Sequence, residues 1–214
     1  MQLSLFEAQT FETQTPPREG LLVLRGFALP RAGDLVAAVA DVTARAPFRH
    51  MTTPGGRVMS AAMSNCGHAG WVTDARGYRY TTQDPQTGEP WPVMPEIILD
   101  LAVEAAAAAG FAFAPDACLI NRYQPGARMG LHSDADEPDE AAPIVSVSLG
   151  LTATFLFGGL TRSGATEKIL VEHGDVVVWG GPLRRAYHGV APLRDGDHPV
   201  LGRQRLNLTL RKAL

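Results

Sequence analysis

The sequence predicts an α+β chain that is mainly β: a double-stranded β-helix, or jelly roll, with two N-terminal helices buttressing one of its sheets. Two observations carry this. From residue 117 onward, short apolar or alternating runs follow one another at 117–123, 144–151, 153–157, 169–172, 175–179 and 206–210. They are punctuated by Gly158-Gly159, His173-Gly174-Asp175 and Gly180-Gly181-Pro182. Before them lie two stretches of helical period, and helices followed by many short strands with glycine-rich turns suit two packed sheets with helices on one side. The 214 residues, 45% of them apolar, are enough for one sizeable core. With no repeat and no linker, one domain is expected over 20–214.

Taken in order, residues 1–19 are polar and contain Pro16-Pro17, so a loose arm is expected. The leucine and valine run at 21–27 reads as a strand. Leu35, Val36, Val39 and Val42 fall at helical spacing and predict a helix over 30–46. Thr53-Pro54-Gly55-Gly56 is a turn. Residues 57–94 show no clean period and interleave Trp71, Tyr78, Tyr80 and Trp91 with Arg76, Arg79, glycines and prolines. A loop-rich segment of this length is expected to be functional, and its aromatics argue against disorder. A second helix is expected over 95–109, with proline in its first turn, Ile97, Ile98 and Leu101 as its apolar stripe, and Gly110 ending it. The strand at 117–123 places Leu119, Asn121 and Tyr123 on one face.

Composition narrows the setting. The two cysteines, Cys66 and Cys118, stand in unlike contexts, which speaks against a disulfide framework and for a reducing cytoplasm. No apolar run reaches the ~20 residues of a membrane span, and Met1 to Glu7 lacks the pattern of a signal peptide. A net charge of −3 and a pI near 6.1 exclude a protein that coats long duplex DNA, so any nucleic-acid footprint should be short and local.

Chemistry concentrates at Met129-Gly130-Leu131-His132-Ser133-Asp134-Ala135-Asp136. In an extended segment His132 and Asp134 point the same way and offer an imidazole and a carboxylate to a divalent metal. His188 is the candidate third ligand. Two histidines and one carboxylate leave positions open, which favours non-haem Fe(II) with a co-substrate and O2. By itself a His-x-Asp pair is commonplace and reads more readily as a turn histidine beside a surface aspartate. The strand Arg205-Leu206-Asn207-Leu208-Thr209-Leu210-Arg211 adds weight. It sets Arg205, Asn207, Thr209 and Arg211 on one face and three leucines on the other, and guanidinium forks match a small dicarboxylate. His68, His173 and His198 read as structural or solvated. Trp71 alone reads more readily as core, and Asp136 reads equally well as a helix or turn cap and as a base contact.

With these motifs the sequence resembles the AlkB family of Fe(II)- and 2-oxoglutarate-dependent dioxygenases, enzymes of oxidative DNA-alkylation repair. The resemblance runs from about Leu21 to Arg211. It also rests on Thr53-Pro54-Gly55-Gly56, Asn65-Cys66-Gly67-His68, Asp84-Pro85-Gln86-Thr87, Leu119-Ile120-Asn121-Arg122-Tyr123 and Asp136-Glu137-Pro138-Asp139. It implies iron on His132, Asp134 and His188, and 2-oxoglutarate on Asn121, Tyr123, Arg205, Asn207 and Arg211. It further implies a nucleotide-recognition lid over about 50–90, in which Trp71 stacks on the target base with contacts from Tyr78, Asp136 and Arg162. The implied reaction is oxidative demethylation of 1-methyladenine and 3-methylcytosine with release of formaldehyde, by a monomer acting on single- or double-stranded alkylated DNA. Two alternatives stay open: the same chemistry on RNA, protein or a small molecule, and a jelly-roll metal-binding module without turnover.

Overall fold

The computed structural model describes residues 18–214, so most of the expected arm lies outside the described residues. In chain order the elements are β1 (Leu21–Leu24), a 3₁₀ turn (Leu29–Arg31), α1 (Ala32–Arg45), β2 (Ala62–Gly67), β3 (Gly70–Asp74), β4 (Gly77–Thr81), α2 (Glu96–Ala108) and β5 (Ala117–Tyr123). There follow β6 (Met129–His132), β7 (Ile144–Gly150), β8 (Ala153–Phe157), β9 (Glu167–Val171), β10 (Val176–Trp179), a second 3₁₀ turn (Gly181–Leu183), β11 (His188–Val190) and β12 (Arg205–Arg211).

Two antiparallel sheets make the jelly roll. The larger runs β1-β10-β7-β12-β5-β2 and the smaller β6-β11-β8-β9, while β3 and β4 pair as a separate hairpin. Between the sheets lies one apolar layer that includes Val23, Val177, Trp179, Phe155, Phe157 and Val190. On the far side of the larger sheet, α1 and α2 bury Leu35, Val39, Val42, Ile98 and Leu101 against Ile120, Val145, Val147, Leu208 and Leu210. The helices therefore buttress one sheet, as the periodicity predicts. Helix α2 ends as Gly110 turns to φ 82°, with the Phe111 N–H donating to Ala106 O at 2.9 Å and the Gly110 N–H to Ala107 O at 3.0 Å. This arrangement satisfies carbonyls that the last helical turn leaves bare. Among the described residues no helix is long and apolar enough to cross a membrane.

Several expectations are corrected. The first strand stops at Leu24, because Asp175 accepts the Gly26 N–H at 2.8 Å and Arg25 Nη1 at 2.6 Å and turns the chain at Gly26. The segment 57–94 is loop-rich only in part: it contains β2, β3 and β4, with loops at 57–61 and 82–94. Strand β2 is small and polar in sequence, Ala-Met-Ser-Asn-Cys-Gly, and nearly all of it is buried. Pairing with β5, rather than local propensity, makes it a strand. The two helices are thus not consecutive, since β2–β4 lie between them. Cys66 and Cys118, which read as unrelated, face each other across β2 and β5 as buried free thiols.

Candidate active site

Strand β12 supplies half of the site. Its leucines enter the core beneath the helices. Arg205, Asn207, Thr209 and Arg211 take the opposite face and are all buried. Register sets Arg205 against Tyr123 and Asn207 against Asn121 on β5, with Asn207 against Ser148 and Thr209 against Ser146 on β7. With His132, His188 and Trp179, all of these side chains except Ser148 line an open cavity of about 420 Å³.

Arg205 is 2% exposed. Its Nη2 donates to Ser148 Oγ at 2.9 Å, and its Cζ sits 5.2 Å from the centre of the Tyr123 ring. Its Nε and Nη1 have no partner. Burial lowers its pKa, opposed by Tyr123, and burial in turn raises that of Tyr123. A buried guanidinium with two unpaired nitrogens is costly, and the missing partner best suited to its fork is a carboxylate. Beside it, Asn207 Nδ2 donates to Ser146 Oγ at 2.8 Å and Val147 O at 3.0 Å. Asn207 Oδ1 accepts from Thr209 Oγ1 at 3.0 Å and Asn121 Nδ2 at 3.5 Å. The Asn121 Oδ1 atom has no partner.

Strands β6 and β11, too short to stand out in the sequence, bring His132 opposite His188. Their approach requires Gly189, because a Cβ there would meet Met129 O at 2.8 Å. Asp134 lies just beyond β6. His132 Nε2 is 3.6 Å from Asp134 Oδ1, His188 Nε2 is 3.8 Å from Oδ2, and one donor atom from each of the three residues falls within 4.8 Å of the others. Each imidazole sets its Nδ1 against a backbone carbonyl, Gly130 O at 2.9 Å for His132 and Ala186 O at 3.0 Å for His188. That contact assigns the proton to Nδ1 and leaves the Nε2 lone pair for an ion. Burial first, and His132 second, push the pKa of His188 down to about 4, so it is neutral at pH 7. Burial pushes the Asp134 carboxyl up, but Arg211 and the two imidazoles outweigh it and hold it well below the usual carboxylate range. Two imidazoles at the cavity wall, with one carboxylate beside them, fit non-haem Fe(II).

Arg211 faces Asp134. Its Nε and Nη2 reach Asp134 Oδ2 at 2.8 and 2.7 Å, and its Nε lies 3.4 Å from Glu137 Oε1. Of the residues expected to meet a base, three come together. Trp71, half-buried on β3, stacks on Tyr78 of β4 with centroids 5.6 Å apart and planes at 21°, and its Nε1–H donates to Asp136 Oδ2 at 2.9 Å. The β3–β4 hairpin is fixed at this point by Asn65, whose amide bonds both the N–H and the C=O of Trp71 at 3.0 Å. Arg162 stands apart in the exposed β8–β9 loop. Sequence reasoning gave no individual site role to half-buried Tyr80 or to buried Glu137 and Arg184, which form a hydrogen-bonded network behind Arg211. In the sequence they are unremarkable, since nothing local marks a Glu or an Arg as buried.

The 2OG-Fe(II) oxygenase superfamily profile matches residues 20–211. The alpha-ketoglutarate-dependent dioxygenase AlkB of Escherichia coli strain K12 is 55% identical over 201 residues, which are 94% of this chain and 93% of that protein. The AlkB homolog of Caulobacter vibrioides is 46% identical over 180 residues, 84% of this chain and 80% of that protein. Among solved structures, that of OsALKBH1 superposes with a TM-score of 0.81 at 27% identity, covering 92% of this chain and 99% of that one.

Proposed function

The chain belongs to the 2OG-Fe(II) oxygenase superfamily and, within it, to the AlkB family of dioxygenases, and on that premise we propose that it demethylates 1-methyladenine and 3-methylcytosine in DNA. As a member it is an Fe(II)- and 2-oxoglutarate-dependent dioxygenase that uses O2. The bound iron, with 2-oxoglutarate and O2, supplies the oxidation that turns an N-methyl group into N-hydroxymethyl, yielding succinate and CO2; the product then sheds formaldehyde.

The protein's own residues bind, orient and screen. His132, Asp134 and His188 would hold the metal, with their Nδ1 atoms and the second carboxylate oxygen already engaged elsewhere. Arg205 would take the far carboxylate of the co-substrate on its two unpaired nitrogens, backed by Tyr123, with Asn121 and Asn207 beside it. Arg211 would hold Asp134 and border the near end of the co-substrate. Trp71 and Tyr78 offer an aromatic platform to a base turned out of its strand, since a stacked base cannot reach a buried centre. Asp136 beside them favours a base made cationic by methylation, and Arg162 would meet the strand from the β8–β9 loop. A methylated pairing edge also lowers the cost of turning the base out.

The observation that carries the reading is the pair of orphaned Arg205 nitrogens in the same cavity as the two imidazoles. A plain metal-binding module has no use for a buried, half-paired guanidinium there. The test is formaldehyde and succinate release from single-stranded oligonucleotides carrying 1-methyladenine or 3-methylcytosine, with Fe(II) and 2-oxoglutarate. Stoichiometric formaldehyde is expected. Succinate formation that no methylated oligonucleotide stimulates would overturn the substrate class.

A further inference from the structure

We propose that Tyr80, Glu137 and Arg184 are positioning residues that tie the β3–β4 hairpin to the metal ligand Asp134 by fixing where the Arg211 guanidinium rests. The proposal rests on the metal-site reading above and not on the identity of the substrate.

Asp134, Glu137, Arg184 and Arg211 are all buried, two anions and two cations. Arg184 closes the loop that carries both anions. Its Nη1 donates to the Asp134 carbonyl at 3.2 Å, its Nη2 to Glu137 Oε2 at 3.1 Å, and its Nε to the Ala142 carbonyl at 2.9 Å. Glu137 Oε1 then has two claimants. The Tyr80 hydroxyl donates to it at 2.5 Å, and Arg211 Nε stands 3.4 Å away. The same Nε has the closer acceptor in Asp134 Oδ2, at 2.8 Å. By occupying Oε1, Tyr80 weakens the hold of Glu137 on Arg211 and leaves Arg211 on Asp134. Burial foremost, with Glu137, raises the Tyr80 pKa far above its ordinary value, so its proton is always present.

Such a set is a poor way to gain stability. Apolar residues of similar volume commonly hold a fold as well as buried ion pairs do, which leaves placement as the use for the charges. The placement reaches the lid, because Tyr80 is the register partner of Trp71 in the hairpin. A base that shifts Trp71 shifts the strand bearing the hydroxyl that governs Arg211.

Tyr80→Phe removes one hydroxyl and keeps the ring that packs near Ala69, Ala117 and Ala213. Co(II) serves as the metal probe, with no nucleic acid present. The variant is expected to melt close to the parent, to bind Co(II) roughly tenfold more weakly, to change the visible Co(II) spectrum, and to raise the 2-oxoglutarate requirement of uncoupled succinate formation. Glu137→Gln keeps an acceptor for Tyr80 and removes the charge that competes for Arg211, so the double variant Tyr80→Phe/Glu137→Gln should regain Co(II) affinity toward that of the parent. A Tyr80→Phe protein with a lower melting temperature but parental Co(II) affinity, spectrum and 2-oxoglutarate requirement would overturn the proposal and leave a structural tie. His188→Ala in the same titration reports on the metal reading separately.

Discussion

Asp134 divides its two oxygens between two partners: Arg211 holds Oδ2 from Nε at 2.8 Å and Nη2 at 2.7 Å, while Oδ1 lies 3.6 Å from His132 Nε2. One carboxylate oxygen, Oδ1, is thereby left clear of Arg211, and it is the one that would be offered to a metal held as proposed above.

Asp134→Asn is expected to fail twice. Metal binding should be lost with the charge. Stability should also fall, by about 3 kcal/mol, because Arg211 stays buried with its main counter-ion gone. Urea unfolding of the metal-free proteins measures the second effect, and an unchanged midpoint would show that Glu137 alone suffices for Arg211.

Arg205 should behave in the opposite sense. Its replacement by methionine removes two unpaired buried nitrogens, so the metal-free variant should be more stable than the parent by about 1 kcal/mol. The rise in melting temperature that 2-oxoglutarate gives the parent should vanish. Arg205→Lys should retain a weak rise and need far more co-substrate, since a point charge replaces a fork. An undiminished rise with methionine would place the far carboxylate elsewhere.

Trp71→Ala should weaken binding of a methylated single strand by ~1–3 kcal/mol, the worth of one stacked base. Uncoupled succinate formation should persist, since the side chains proposed to hold the metal and the co-substrate lie on the jelly roll and Trp71 lies on the hairpin. Measuring both in one preparation decides the matter. Equal loss of both would make Trp71 a core residue.

His173 predicts a pH effect on stability. Its Nδ1 accepts the Gly150 N–H at 3.0 Å, its ring lies 4.4 Å from that of His198, and burial first, His198 second, lower its pKa from 6.5. A histidine with a lowered folded pKa is neutral in both states above pH ~6.5, and that is where its contribution is intact. As pH falls below that value the unfolded chain takes the proton first, so stability declines until the folded pKa is passed. His173→Asn should flatten the stability profile as pH falls below about 6.5. A profile as steep as that of the parent would assign the acid sensitivity to other groups.

By itself the sequence determined what local periodicity and side-chain chemistry can carry. The apolar spacing of α1 and α2, the alternation of β5 and β12, and the glycine punctuation of the later strands were legible because each is a pattern within one segment. The pairing of His132 with Asp134 and the Arg205 face were legible for a related reason: a His-x-Asp pair and an Arg-x-Asn-x-Thr-x-Arg strand place their polar groups on one face before anything packs. Tertiary structure alone decided the rest. Strand β2 forms because β5 offers it an edge, although its own residues favour no strand. Strands β6 and β11 are too short to show a period, yet their pairing sets His132 opposite His188. The network of Tyr80, Glu137, Arg184 and Arg211 draws on four distant segments, and a charge reveals its burial only when its partners have folded around it.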